Sequence, residues 1–215
     1  MTANESPQHL GSMPIDRFLN ILSSSSPTPG GGAIAALAGS LSAGLISMVC
    51  NLTVGKEKYA AVQEEVNSIL AQSEELRTRL HRLVDADAEA FGQIMDAYRL
   101  PKATEEEKQV RSTRIQEATI AASLVPLEIA RDCARVVDLA LPAARVTNAQ
   151  AIGDVAMAAY LAEGALRGAV INIEINLRAV KDKETVDRLN EQAQALTVGL
   201  SEKVQKAVQE GLARL

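Results

Sequence analysis

Aromatic residues are nearly missing from this chain. It has no tryptophan, and the tyrosines and phenylalanines together make up 2% of its 215 residues, while apolar residues make up 47%. A core of that size has to be built from Ala, Leu, Ile and Val, which suits packed helices better than a sheet sandwich. Cysteine is scarce too. Cys50 and Cys133 both sit in apolar segments and have no metal-ligand spacing, as expected for buried thiols in a reducing compartment. The only histidines, His9 and His81, pair with neither cysteine, so no structural zinc or other metal is expected. Basic clusters are also lacking. The net charge of −5 argues against nucleic acid as a partner, because phosphate binding needs grouped Lys and Arg. Glu5 comes early and no apolar core follows it, so no signal peptide is expected and the location should be cytoplasmic.

Charge is missing altogether between Arg17 and Lys56. That raises the possibility of a membrane span. But Pro27, Pro29 and three glycines interrupt the run, and Ala33 to Val54 is rich in Ala, Ser and Gly and carries Asn51. This composition reads as a central helix buried by protein rather than lipid, so no membrane association is expected.

What is present is helical periodicity. The length suits one domain, read here as residues 14–215 after a flexible tail at 1–13. A short helix from Pro14 to about Ser24 leads into the loop SSSSPTPGGG, and a second helix spans about Ala33 to Val54. Its small-residue stripe Ala35, Gly39, Ala43, Ser47 would admit another helix at close range, within the chain or across a dimer. A third helix runs from about Tyr59 to Arg99, some ~60 Å if straight. Thr104 and Glu107 have capping-box spacing for a fourth, which Pro126 should kink and Pro142 should follow. A fifth covers about Ala149 to Val180, and a sixth, capped by Asp182, continues to the C-terminus. The expected fold is all-α, a bundle of long antiparallel helices.

The third helix carries an apolar seam: Val62, Val66, Ile69, Ser73, Leu76, Leu80, Leu83, then Asp87, then Phe91, Ile94 and Tyr98. Asp87 stands where the pattern asks for leucine, whereas Asp85 and Glu89 should face solvent. A carboxylate on a core stripe is either held by a buried ion pair or helix end, or is a catalytic group with a raised pKa. Gly30, Gly31 and Gly32 precede a helix N-terminus and could receive an anion or the polar edge of a ligand, or could simply form a tight turn. Lys56 and Lys58 could hold a carboxylate and Tyr59 could stack on a ring, or all three could lie in a solvated turn. Lys102 and Arg111 have the same ambiguity. Asn148 and Asp154 flank the start of the fifth helix and could cap it. Asn172 and Asn176, four apart on a small-residue face, read as interhelical hydrogen-bonding groups.

The stretches PTPGGGAIAALAGSLSAGLISMVCNLTVGKEKY, LVDADAEAF, LPKATEEEKQVR, the VPL at 125–127 and NIEINLRAVKD, in this order, resemble the cyclodeaminase/cyclohydrolase family of folate enzymes. The resemblance covers nearly the whole chain from about Phe18. It implies an all-α bundle that dimerises, a tetrahydrofolate derivative as substrate, no separate cofactor, and Asp87 as the catalytic carboxylate. It also implies that Gly30 to Gly32 and Lys56 contact the ligand. SMVCNLTVGKEKY and LPKATEEEK are most similar to the stand-alone methenyltetrahydrofolate cyclohydrolases. Hydrolysis of 5,10-methenyltetrahydrofolate to 10-formyltetrahydrofolate is therefore the expected activity. Formiminotetrahydrofolate cyclodeaminase is an alternative, and a non-catalytic folate-binding scaffold is another. The second alternative stays open because relatives commonly show GN-x-N-x-x-SD before the fifth helix, and here Thr147, Asn148, Ala149, Gln150, Ala151, Ile152, Gly153, Asp154 keep only the first Asn and the Asp.

Overall fold

Seven α-helices dominate residues 9–215, the part of the chain described by the computed structural model, and no strand occurs among these residues. They are α1 (Ile15–Leu22), α2 (Gly31–Asn51), α3 (Gln63–Arg99), α4 (Glu105–Val146), α5 (Ile152–Leu177), α6 (Lys183–Ala195) and α7 (Leu200–Leu212). Short 3-10 turns at Leu10–Ser12, Glu57–Val62 and Ala149–Ala151 precede α1, α3 and α5. The bundle of long helices expected from the periodicity is present.

The charge-free α2 is the centre, packed against α3, α4 and α5. On length and composition alone it could cross a membrane, but most of it is buried by these three helices. Its small-residue stripe is spent inside the chain. A Cβ on Gly39 would lie 2.6 Å from the Cys133 sulfur, so α2 and α4 touch where that side chain is missing. Further along, the Ser47 and Ser73 hydroxyls meet at 2.8 Å between α2 and α3. Burial pushes both thiols, Cys50 and Cys133, up to about 12.

Helix α3 follows its expected seam only part of the way. Val66, Ile69, Ser73, Leu76 and Leu80 are buried, but the next buried position is Val84 rather than Leu83, and Phe91 and Tyr98 are exposed. The reason is length. At ~1.5 Å per residue α3 and α4 span about 55 and 63 Å, whereas α2 spans about 31 Å. The two long helices outrun the bundle and pair with each other as an arm. Asp87 lies where α3 leaves the core. Asp85, expected in solvent, is instead covered by the turn at Leu10–Ser12: its carboxylate accepts from the Leu10 amide at 2.5 Å, and His81 Nε2 bonds the Gly11 carbonyl at 2.8 Å. Of the anticipated N-terminal tail, residues 9–13 thus rest on α3, and residues 1–8 lie outside the described residues.

The capping box of α4 forms as spaced, with the Glu107 amide donating to Thr104 Oγ1 at 3.1 Å and Glu107 Oε2 accepting from the Thr104 amide at 3.1 Å. Pro142 does not follow α4 but lies inside it, as does Pro126. The expected single C-terminal helix is two, because Gly199 takes φ +66°, a left-handed conformation that ends one helix and starts the next.

Candidate active site

Asp87 enters a pocket of about 260 Å³ at the N-terminus of α2. Its walls include Pro27 and Thr28 from the glycine loop, Gly30 to Gly32, Phe91 and Ile94 from α3, and Asn172 and Asn176 from α5. Phe91, one turn on from Asp87 and expected in the core or on the ligand side of the site, is part of this wall and about a third exposed, 36%. Gly32 fits against the carboxylate with no room to spare: a Cβ there would lie 2.0 Å from Asp87 Oδ1. Gly31 faces Asn172 in the same way, its missing Cβ 3.3 Å from Nδ2. The glycines therefore let the first turn of α2, whose amides have no intrahelical acceptor, close onto the carboxylate and the pocket.

Burial pushes the Asp87 carboxyl above its ordinary value, and a hydrogen bond from the Ala33 backbone offsets this only in part. No lysine or arginine lines the pocket. Asp132 shows the contrasting case. It is 1% exposed, but Arg79 holds it at 2.9 Å and Arg135 stands at 3.6 Å, so it ties α3 to α4 as a paired charge. Among the described residues no cation pairs with Asp87, which excludes the ion pair there; its carboxyl meets the N-terminus of α2, as a helix-end carboxylate would, and also faces the cavity. A larger groove, about 450 Å³, lies between α3 and α4 on the arm, but it is wide open and its Arg114 and Glu117 pair with each other at 3.0 Å.

The other expected site residues are not in this pocket. Lys56, Tyr59, Asn148 and Asp154 gather at the far end of the bundle, because α2 carries the chain ~31 Å from Gly31 to Asn51 and α5 runs antiparallel to it. There the Tyr59 hydroxyl bonds Asn148 Oδ1 at 3.3 Å, and the Asn148 amide donates to Thr53 Oγ1 at 2.9 Å. Asn148 also caps the turn before α5, accepting from the Gln150 amide at 3.2 Å, and Asp154 lies in the first turn of α5. Lys102 is exposed at the tip of the arm, away from both clusters. Arg111 bonds the Tyr98 carbonyl at 3.0 and 3.1 Å and fastens the arm to itself. Lys58 lies over the Tyr59 ring, 5.5 Å from its centroid.

Residues 14–195 match the family described as formiminotransferase-cyclodeaminase. The chain belongs to that family. A methenyltetrahydrofolate cyclohydrolase from Methylorubrum extorquens is 44% identical over 173 residues, covering 80% of this chain and 83% of its own. The formimidoyltransferase-cyclodeaminase of Mus musculus is 32% identical over 165 residues, 77% of this chain but only 30% of its own length. The crystal structure of formiminotetrahydrofolate cyclodeaminase from Thermotoga maritima superposes with a TM-score of 0.83 at 26% identity, covering 94% of this chain and 98% of that one.

Asn172 and Asn176, expected as interhelical hydrogen-bonding groups, both line the pocket, and Asn172 donates within α5 to the Gly168 carbonyl at 2.8 Å. Asn176 does make the expected interhelical bond, donating to the Ala122 carbonyl at 3.1 Å. Pro126 explains why that carbonyl is free. It lies four residues on and has no amide to return, so Asn176 supplies the missing donor and is thereby fixed at the pocket. We expect Asn176→Ala to cost about 1–3 kcal/mol by leaving the Ala122 carbonyl unpaired. Chemical denaturation of Asn176→Ala with and without Pro126→Ala checks this. The loss should shrink when residue 126 can donate its own amide, and equal losses in both backgrounds would contradict it. Thr147, at the start of the stretch before α5, is buried, with its hydroxyl donating to the Ala143 carbonyl at 2.6 Å.

Proposed function

We propose that this chain hydrolyses 5,10-methenyltetrahydrofolate to 10-formyltetrahydrofolate, as a cytoplasmic homodimer, with Asp87 as general base. The observation that carries the reading is a carboxyl with no cationic partner among the described residues, raised by burial, at a small cavity on a helix N-terminus. The 44% identity to a methenyltetrahydrofolate cyclohydrolase over most of both chains supports the substrate.

The substrate carbon is an amidinium-like cation between N5 and N10, already electrophilic enough for water, so the reaction calls for no cofactor. As water attacks, Asp87 takes one of its protons and the cation becomes a neutral tetrahedral carbinol. Asp87 then returns that proton to N5 as the C–N5 bond breaks. The carbinol hydroxyl loses its proton to solvent, leaving the formyl group on N10 and one proton released overall. A base raised toward the working pH serves both steps, since it accepts a proton and gives it back with little cost either way. Its ionised form also attracts the cationic substrate. Asn172 and the free amides of Gly31 and Gly32 offer hydrogen bonds to the polar edges of the ligand.

The second reading, cyclodeamination of a formimino group with release of ammonia, is favoured by the likeness to the Thermotoga maritima enzyme. Loss of methenyltetrahydrofolate absorbance, followed with enzyme and with buffer alone, tests the first reading, and ammonia release from the formimino substrate tests the second. Acceleration of the first reaction without ammonia from the second is the expected result. Folate binding with turnover of neither substrate would overturn both.

A further inference from the structure

Two asparagines stand on the α5 side of the Asp87 pocket, and the nitrogen of each side chain is already engaged. Asn172 Nδ2 donates to the Gly168 carbonyl at 2.8 Å, and Asn176 Nδ2 donates to the Ala122 carbonyl at 3.1 Å. A carbonyl only accepts, so each carboxamide has a fixed sense, with its nitrogen toward that carbonyl and its oxygen left over. Gly31 holds Asn172 further: a Cβ on that glycine would lie 3.3 Å from Nδ2 and 3.7 Å from Oδ1. Pro126 holds Asn176, because it leaves the Ala122 carbonyl without its helical donor.

Neither oxygen accepts a hydrogen bond from a described residue, and among these residues no sealed-in polar side-chain atom lacks a partner. The two oxygens are therefore open, and the space they open on is the pocket that both residues line. One turn apart on α5, with Cβ atoms about 5–6 Å from each other, they make a pair of acceptors on one wall. The α2 side of the pocket has the other character. Gly31 and Gly32 bring first-turn amides, which donate, and Gly32 lies against Asp87. The pocket is thus divided into donors next to the carboxylate on α2 and acceptors on α5.

We propose that Asn172 and Asn176 determine specificity for a reduced pterin, each accepting through Oδ1 from one of two ring donors, the 2-amino group and N8–H. This deepens the cyclohydrolase reading above and rests on it for the ligand. The tetrahydropterin ring has the same division as the pocket. Its 4-carbonyl, an acceptor, neighbours N5 and so the one-carbon bridge. Its 2-amino group and N8–H flank N1 on the edge away from that bridge. With the one-carbon unit at Asp87, the carbonyl meets the α2 amides and the donor edge turns to α5. N8–H is the group that discriminates. A fully oxidised pterin has a bare nitrogen there, whose lone pair would face a carboxamide oxygen with no proton between them. At about 260 Å³ the pocket suits the bicyclic ring rather than a whole folate, so the ring is what its walls read.

The test changes one donor of the ligand and one acceptor of the protein at a time. Calorimetry gives the Kd of tetrahydrofolate, of its 8-deaza analogue with CH2 at position 8, and of its 2-desamino-2-methyl analogue. Wild type should bind each analogue about 10-fold or more weakly than tetrahydrofolate, because each leaves an acceptor unpaired. Asn172→Ala should lose the discrimination against one analogue and keep it against the other, and Asn176→Ala should do the reverse. With methenyltetrahydrofolate, Asn172→Ala should raise KM about 10-fold with kcat little changed, as loss of binding shared by ground and transition states does. A merely structural role would alter stability or kcat but not a ratio of two affinities measured on one protein. If Asn176→Ala does not fold, Asn172→Ala, which breaks only a bond within α5, decides alone. Unchanged ratios in the variants overturn the proposal, as does their loss in Asp87→Asn instead. If wild type binds tetrahydrofolate but hydrolyses no methenyltetrahydrofolate, the cyclohydrolase reading fails while the affinity ratios still decide the role of the asparagines.

Discussion

Replacing Asp87 with asparagine should reduce kcat for methenyltetrahydrofolate by about 10²–10⁴, the usual contribution of a positioned acid–base group. The same change should make the protein more stable. In the wild type the folded carboxyl has its pKa raised by burial, so the folded state resists ionisation more than the unfolded chain does. The sign follows from linkage: stability is complete below the unfolded value and is lost as pH rises through the folded one. Asparagine fills the same space with no charge to bury. The difference in Tm between variant and wild type should therefore be small near pH 4 and open as pH rises, by roughly 2–4 °C for each kcal/mol of relieved desolvation. A pH series of thermal melts beside the absorbance assay measures both. Wild-type kcat/KM should climb with pH through the raised carboxyl value, and the variant should lack that limb. Equal activity, or a variant less stable at neutral pH, would remove Asp87 from its role.

Gly32→Ala is expected to have the second largest effect, through the neighbour rather than the residue itself. The new methyl would lie 2.0 Å from Asp87 Oδ1 and 2.5 Å from its Cγ, so one of the two must move. A carboxylate displaced by about 1 Å can cost ~10²-fold in rate. Stability should change less than activity. Alanine gains about 1 kcal/mol over glycine in helix propensity, against about 1–3 kcal/mol for overpacking. The distinguishing measurement is a double-mutant cycle. In an Asp87→Ala background the clash is gone, and Gly32→Ala should turn from destabilising to stabilising. Additive effects would mean that the two residues do not press on each other.

Asp87 was legible because a polar residue interrupted a period set by packing, and packing is what sequence periodicity records. The same signal misled further along, where Phe91 and Tyr98 kept the apolar pattern although the bundle no longer reaches that far. A stripe says which side of a helix is apolar, not whether anything covers it. Pro142 was read as a helix end because proline removes an amide, yet α4 passes through it. Gly199 was missed because a left-handed residue leaves no mark on the surrounding hydrophobic pattern. The candidate site residues stand apart within one chain for a geometric reason. Gly31 and Lys56 are close in sequence, but a 21-residue helix stands between them, and a straight helix is a spacer. Nothing in the family motifs says that their residues must meet within one chain.

The position of α2 at the centre has a consequence for how the protein is made. This helix is made before its cover is: α5, one of the helices that pack on it, ends at Leu177, 126 residues after Asn51. At about 5–20 residues per second, that leaves the most apolar segment of the chain without its full cover for roughly 6–25 s during synthesis. Slowing translation between residues 51 and 177 should therefore lower the soluble yield without altering the finished fold, which a comparison of soluble expression with and without rare codons in that stretch measures.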